Sequence, residues 1–543
     1  MVRRYSRRDA LKLAAAFGVV VGASWIGACG DDALREAPGD PPFGEVPLEP
    51  RAARNAVVTE GRLRLGSLKS VPMSTQPLTV FEKLLVYSRL VAVDPRTATI
   101  HGDLASAIAV VDPLEVRFEL RAGAFFHPDV DSLALPVSAV AVQRSFEEAA
   151  TEGVSLFSEI IESVTVPDAE NVVIRLRGPF AFLFELLAAH DASVRSESHY
   201  SGFREPIGSG LFVPSGQDST GHVLLANPLH HDGGPPQIQQ INSLHFGDER
   251  EVDSAFRSLQ LDVREHPDAT SAELGAERVD ARQIRRPARS LIGLGLSMLP
   301  SKGGIPTHSV EAFQDERVRR AVSHALDRAA IAETAGGLVA SPVGAAHGAD
   351  SLPGGELAMH PFQRADAAES TALLAAADQE GLDFRMLVAD VPELRVTAEL
   401  VQRQLATAGF SVELRAEPQG EWSELFAAGD FESTVFRVDG LNTPDIGLRL
   451  HSSGGLDGRF SAWGYSSPVF DSSLSNALSE LRPDRRTMAL HETQRVLLGE
   501  TPAMLPLVTP YDVASLGPNV AGYDFNAFEF NAGWLSANWE QHA

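Results

Sequence analysis

Apolar and polar residues follow two distinct periods along most of the chain. In 61–68 (GRLRLGSL) and 115–120 (EVRFEL) every second position is apolar, the pattern of a half-buried strand. Residues 171–176 (NVVIRL) read as a third strand, and 180–189 (FAFLFELLAA) as an apolar helix. Between 311 and 330, Val318, Ala321, Val322, Ala325 and Leu326 share one helical face, so the spacing predicts a helix across that span. The helical period returns over 394–408 and ends at Gly409, a favoured residue just past a last turn. Residues 410–414 then alternate as a strand, and Gly293-Leu294-Gly295 reads as another. Strands interleaved with helices predict α/β architecture. Turn-rich breaks fall near 232–236, 300–308 and 351–355.

The first 56 residues have neither period. Arg3, Arg4, Arg7 and Arg8 form a basic head, and 13–28 is nearly uncharged and apolar. A membrane-spanning helix needs about 20 residues. This stretch is shorter, so 1–28 reads as an export signal. Residues 30–56 are rich in Pro, Gly, Asp and Glu, which predicts a disordered tether over 29–56. A flexible stretch of that length reaches on the order of 30 Å root-mean-square.

The chain has 543 residues, enough for more than one domain, and a net charge of −26. So acidic a body repels phosphate backbones, which argues against a nucleic-acid partner. A single cysteine excludes an intrachain disulfide and a Cys-based metal cluster. That cysteine, Cys29, closes the apolar segment.

Ser6-Arg7-Arg8-Asp9-Ala10-Leu11-Lys12 resembles the twin-arginine export motif, with Ala10 where Phe is usual. Ile26-Gly27-Ala28-Cys29 resembles the bacterial lipoprotein cleavage box. That resemblance implies lipidation at Cys29 as the first mature residue. Removing 1–28 takes away five basic residues and one acidic residue, moving the net charge from −26 to −30. Such a surface is repelled by anionic headgroups, so attachment to a membrane is expected through the lipid alone.

Several segments, in chain order, resemble the solute-binding protein family 5, the oligopeptide, dipeptide and nickel ABC-transporter substrate-binding lipoproteins. Asp103-Leu104-Ala105 with the block from Arg117 to His127 is similar to that family's "LA…FxLRxGvxFH" segment. Pro206-Ile207-Gly208-Ser209-Gly210 resembles its "PxGTG" turn. The most specific likeness is to "FxDxRVRxAxxxAxDRxxI". Here Phe313, Asp315, Arg317-Val318-Arg319-Arg320-Ala321, Ala325-Leu326-Asp327-Arg328 and Ile331 all fit. Ala398 to Gly409, Tyr465-Ser466-Ser467-Pro468 and Pro502 to Leu507 fit later segments. Among the departures, the acid of "AxDV" is lost in Ala139-Val140-Ala141-Val142.

The resemblance implies a class II, two-lobe periplasmic-binding-protein-like α/β fold, with mixed sheets, flanking helices and a ligand cleft between the lobes. It places the first lobe at 57–280, carrying a subdomain near 81–205. The second lobe takes 281–505, and 506–543 returns to the first. It implies a lipid-anchored, extracytoplasmic receptor of an ABC importer, working as a monomer by ligand-induced closure. The partners are a peptide or similar small solute and the permease. No catalysis and no cofactor are expected, in keeping with the absence of HExxH, GxxxxGK[ST] and GxSxG motifs. Two other readings remain open: a degenerate receptor acting as sensor or scaffold, and an exported hydrolase.

Six residues are candidate ligand contacts. Asp439, in the segment Phe436 to Asp445, resembles the family aspartate that pairs with a peptide's amino end; read locally, it is a carboxylate capping a turn. Arg437 suits a ligand carboxylate or an ion pair. Phe436 and Asn442 lie in the same segment. Trp463 and Tyr465 follow a Gly-rich turn at 454–458 and suit stacking on a ligand or aromatic core packing. Trp422, flanked by Glu421 and Glu424, is placed at a helix start. His230-His231-Asp232 is the tightest histidine cluster. Adjacent strand residues point to opposite faces and chelate poorly, so a turn is expected there and no metal site.

Overall fold

The computed structural model describes residues 44–46, 48, 61–68, 78–93, 99–128, 133–154, 156–199, 205–217, 220–231, 236–269, 271–272, 280–299, 308–453, 463–523 and 540–541. The export segment, Cys29, nearly all of the tether and Asp232 lie outside them. Among the described residues no helix is long and apolar enough to cross a membrane.

The chain forms two compact units, and it passes between them at 267/268, 270/271, 285/286 and 511/512. The first unit takes the described part of Gly30–Pro267, with Ser271–Arg285 and Asp512–Ala543. Its main sheet runs Val263–His266, Gly61–Leu68, Ile238–Phe246, Gly221–Ala226, Phe212–Gln217. Gly61–Leu68 is parallel to both its neighbours, and the other pairs here are antiparallel. Residues 513–516 of the strand Met504–Leu516 add to its edge beside Val263–His266. The helix Glu249–Arg257 buries Val252, Ala255 and Phe256 with Leu261 against this sheet.

A second, antiparallel sheet in the same unit runs Gly44–Glu45, Ala105–Asp112, Glu115–Leu120, Asn171–Leu176, Ile161–Thr165. Val116, Phe118 and Leu120 point inward and are buried, while Arg117 and Glu119 are exposed, as the alternation predicts.

The second unit takes Asp268–Thr270 and Arg286–Tyr511. Its sheet runs Ser411–Glu417, Asp383–Ala389, Ser433–Val438, Leu291–Leu296, with residues 504–508 of Met504–Leu516 beside the last. The first three strands are parallel and the helix Pro392–Thr407 makes the crossover from Asp383–Ala389 to Ser411–Glu417. Leu291–Leu296 is buried along its whole length, which fits a central strand.

Two expectations are corrected in detail. The span 311–330 is not one helix but the end of His308–Ala312, then Glu316–His324, then the start of Arg328–Thr334. Asp315 and Asp327 leave the helical conformation (ψ 122° and 92°) and each accepts a backbone N–H of the next helix, from Arg317 at 2.8 Å and Ala330 at 3.1 Å. Each aspartate thus serves as an N-cap, which a continuous helix would have buried in its middle. The apolar run at 180–189 is helical only over Leu183–Ala188.

Candidate functional site

The segment that carries most of the candidate contacts leaves the second unit's sheet at the end of Ser433–Val438. Phe436 and Val438 are fully buried, so Arg437 is carried to the other side of the strand. Gly440, at φ +75°, turns the chain back, a left-handed conformation that glycine adopts without strain. The helix Pro444–Arg449 follows, with Asp445 buried against Arg449 at 2.7 Å.

Arg437 is the centre of the polar arrangement. Its Nη1 donates to Glu393 Oε2 at 2.9 Å and its Nε to Asp439 Oδ1 at 2.8 Å. Glu393 comes from the first turn of Pro392–Thr407 and is buried, whereas the Asp439 side chain is 58% exposed. Burial works against a charged Arg437, but Asp439 and Glu393 outweigh it and raise the guanidinium above its ordinary range. Burial raises the Glu393 carboxyl despite the cation beside it. Its Oε1 is buried with no hydrogen-bond partner among the described residues. The accessible carboxylate of this network is Asp439.

Asn442 is buried, and its backbone carbonyl accepts from Arg289 Nη1 at 2.6 Å. Arg289 returns a second bond, its carbonyl accepting from Leu441 N–H at 2.9 Å. The turn after Asp439 is therefore pinned at two points.

Phe436 and Trp463 belong to an aromatic cluster. Their rings are 5.0 Å apart, and Phe426 and Phe431 lie 5.8 and 6.0 Å from Trp463. Trp422 joins by stacking on Phe426 at 5.0 Å; it sits within the helix Gln419–Ala428. Trp463 Nε1 donates to Leu450 O at 3.1 Å, so its polar edge is satisfied inside the core. Tyr465 is also buried, and that burial, with Glu500 nearby, pushes its hydroxyl up to about 12. Of the six candidates, Arg437 and Asp439 are thus joined in one ion network. Phe436 and Trp463 are packed, and Asn442 holds the turn.

The residue that sequence reasoning missed is Glu393. It lies 44 positions from Arg437 and carries no local sign of the pairing. The turn expected at the paired histidines is present. His230 and His231 lie in a turn and their rings tilt together at 4.2 Å, with His231 Nε2 3.1 Å from Asp103 Oδ1. The strand geometry that would have separated them does not apply there.

Solved structures share this fold. HbpA2 from Haemophilus parasuis has a similar fold, with a TM-score of 0.73 at 20% identity over 89% of this chain and 100% of that one. The fold is therefore the two-lobe, periplasmic-binding-protein-like α/β class that the sequence predicts. Residues 99–458 match the bacterial extracellular solute-binding proteins, family 5 (middle), and the chain belongs to that family. It is 25% identical to the peptide transport periplasmic protein SapA of Salmonella typhimurium over 84% of this chain and 87% of that protein. It is 26% identical to a candidate ABC transporter peptide-binding protein of Brucella ovis over 51% of each. The chain spans about half the length of the Brucella relatives it matches. Members of the family are extracytoplasmic substrate-binding proteins rather than enzymes.

Proposed function

We propose that the chain is a lipid-anchored receptor that captures a short peptide or a similar amine-bearing solute outside the cytoplasm and hands it to an ABC importer. The observation that carries this reading is the family match over residues 99–458. SapA, a peptide transport protein, and the Brucella relative, a candidate peptide-binding protein, point to the ligand class. The reading includes Cys29 as the lipid anchor and a monomer that closes on its ligand. Its lobes are 57–280 with 506–543, and 281–505. It performs no covalent chemistry; ligand binding stabilises one conformation over another.

Within this reading Asp439 receives the ligand's ammonium group. An exposed carboxylate already fixed by Arg437 is oriented before the ligand arrives, which lowers the entropy cost of pairing. Arg437, Asn442, Phe436, Trp463 and Tyr465 then act by holding the Asp439 turn and its surroundings in place.

The test is calorimetric titration of wild type and Asp439→Asn with a peptide first identified by its retention on the wild-type protein. Removing one partner of a charge pair that becomes buried costs about 2–5 kcal/mol. The expected loss is therefore thirtyfold or more, by roughly 1.4 kcal/mol per tenfold. A loss below about threefold removes Asp439 from the site.

A further inference from the structure

A separate cluster lies inside the first unit. Glu82, in the helix Val80–Val86, meets His222 from the strand Gly221–Ala226 and His245 from Ile238–Phe246. All three side chains have no solvent exposure. The strand register explains the meeting. His222 pairs with Ser243, and His245 lies two residues beyond Ser243 on the same face of the sheet. Glu82 Oε1 is 2.9 Å from His222 Nδ1 and 3.2 Å from His245 Nε2. All the ligand atoms lie within 4.8 Å of one another.

We propose that Glu82, His222 and His245 form a structural site for a zinc-type divalent ion within the first unit. One carboxylate oxygen and two imidazole nitrogens are a known zinc donor set. Zinc–ligand bonds of about 2.0–2.1 Å in a tetrahedron separate the ligand atoms by about 3.3 Å. The two distances from Glu82 need to open by only a few tenths of an ångström to match. Ser243 stands beside the three as a further oxygen, 3.5 Å from His245 Nε2 and hydrogen-bonded to the Glu82 carboxylate.

The carboxylate is also held from behind. Its other oxygen accepts the Thr79 N–H at 2.7 Å, in a capping box at the helix start, which fixes the direction of Oε1. A carboxylate with no solvent exposure between two imidazoles calls for a positive partner there. A metal ion supplies it, and its rival for the same position is a proton shared with the imidazoles. The second histidine cluster differs, because the Asp103 carboxylate already has the charge of the buried Arg89 beside it and accepts its backbone N–H at 2.8 Å. With no solvent exposure at the site, the ion enters as the unit folds.

The experiment unfolds the full chain in denaturant with chelator and refolds it with and without one equivalent of zinc chloride. Retained zinc is then measured after desalting. About one equivalent per chain is expected, with a higher melting temperature than the zinc-free sample. Cobalt(II) in place of zinc should give the visible bands of a four-coordinate nitrogen–oxygen site. Binding should release protons, since both imidazoles must coordinate through deprotonated nitrogens. His222→Gln and His245→Gln should lower retention at least tenfold, while His231→Gln keeps it. If the variants fail to fold, the wild-type comparison still decides. Zinc retention near zero with identical melting in both samples assigns the position to a shared proton and overturns the proposal. Equal loss in His231→Gln overturns it too.

Discussion

At the scale of single residues, packing and burial set most of the consequences. A Cβ on Gly295 would lie 2.0 Å from Trp463 Cζ3 and 2.5 Å from Cε3, both inside a ring that has no room to move. Gly295→Ala should destabilise the protein by about 1–3 kcal/mol, read as a lower urea midpoint with unchanged slope. The Arg437 network gives an asymmetric pair of outcomes. Arg437→Met strands Glu393 as a buried charge and should cost about 3–5 kcal/mol. Asp439→Asn removes a mostly exposed partner and should cost under about 1 kcal/mol in the free protein. Equal losses in denaturant melts would show that Asp439 carries structural weight.

His451 supplies a pH prediction. Burial lowers its pKa to about 3, and neither ring nitrogen has a hydrogen-bond partner among the described residues. The unfolded chain, with an ordinary pKa near 6.5, binds the proton first as pH falls. The native state is therefore favoured above about pH 6.5, and that contribution is lost between there and about pH 3. One such group changes stability by at most about 1.4 kcal/mol per pH unit. His451→Leu should make the acid limb of a stability–pH curve shallower; superimposable curves would refute the assignment. Residues of this kind were only partly legible. Arg437 and Asp439 stood out in one polar segment, but Glu393 and the burial of His451 depend on contacts made far along the chain.

At the scale of elements, the segment that most resembles the family turns out to be scaffold. Arg319 donates to the carbonyls of Phe313, Gln314 and Thr501. Arg328 donates to the carbonyls of Ser323, Gln363 and Pro506 and to Ser323 Oγ; burial lowers its pKa to about 10. A planar guanidinium reaches several carbonyls at once, which lysine cannot do. Arg328→Lys should therefore leave buried acceptors unmet, at about 1–3 kcal/mol each. Asp327→Ala should cost about 1 kcal/mol by removing the cap of Arg328–Thr334, as a small fall in melting temperature. The two capping aspartates were visible in the sequence. An unbroken apolar face ran through both, so periodicity alone joined what the caps divide. By contrast, the strand Asn171–Leu176 was legible to the residue: Val172, Ile174 and Leu176 are buried in alternation on one face, although the strand is paired on both sides.

At the scale of the whole molecule, each unit completes its sheet with part of one late strand, Met504–Leu516. Its residues 504–508 pair with Leu291–Leu296, and residues 513–516 with Val263–His266. Such pairings span roughly 210 residues in one case and roughly 250 in the other and leave no local trace, so family resemblance rather than pattern pointed to the overall fold. The anchor belongs to this scale as well. Cys29→Ser should move the protein from the membrane fraction to the soluble one, since stable attachment needs more than one acyl chain. Equal partitioning of variant and wild type would remove the lipid anchor from the account.

The central claim is that the chain is a receptor for a peptide-like solute. It is tested most directly by native mass spectrometry of the protein after gentle purification, compared with the same sample denatured. The account predicts a mass excess in the native sample that disappears on denaturation and is recovered as free short peptides. Re-adding such a peptide at about 100 times its dissociation constant should stabilise the native state by about 2.7 kcal/mol. A native mass equal to the bare chain, with no stabilisation by any di- to pentapeptide supplied at millimolar concentration, would contradict it.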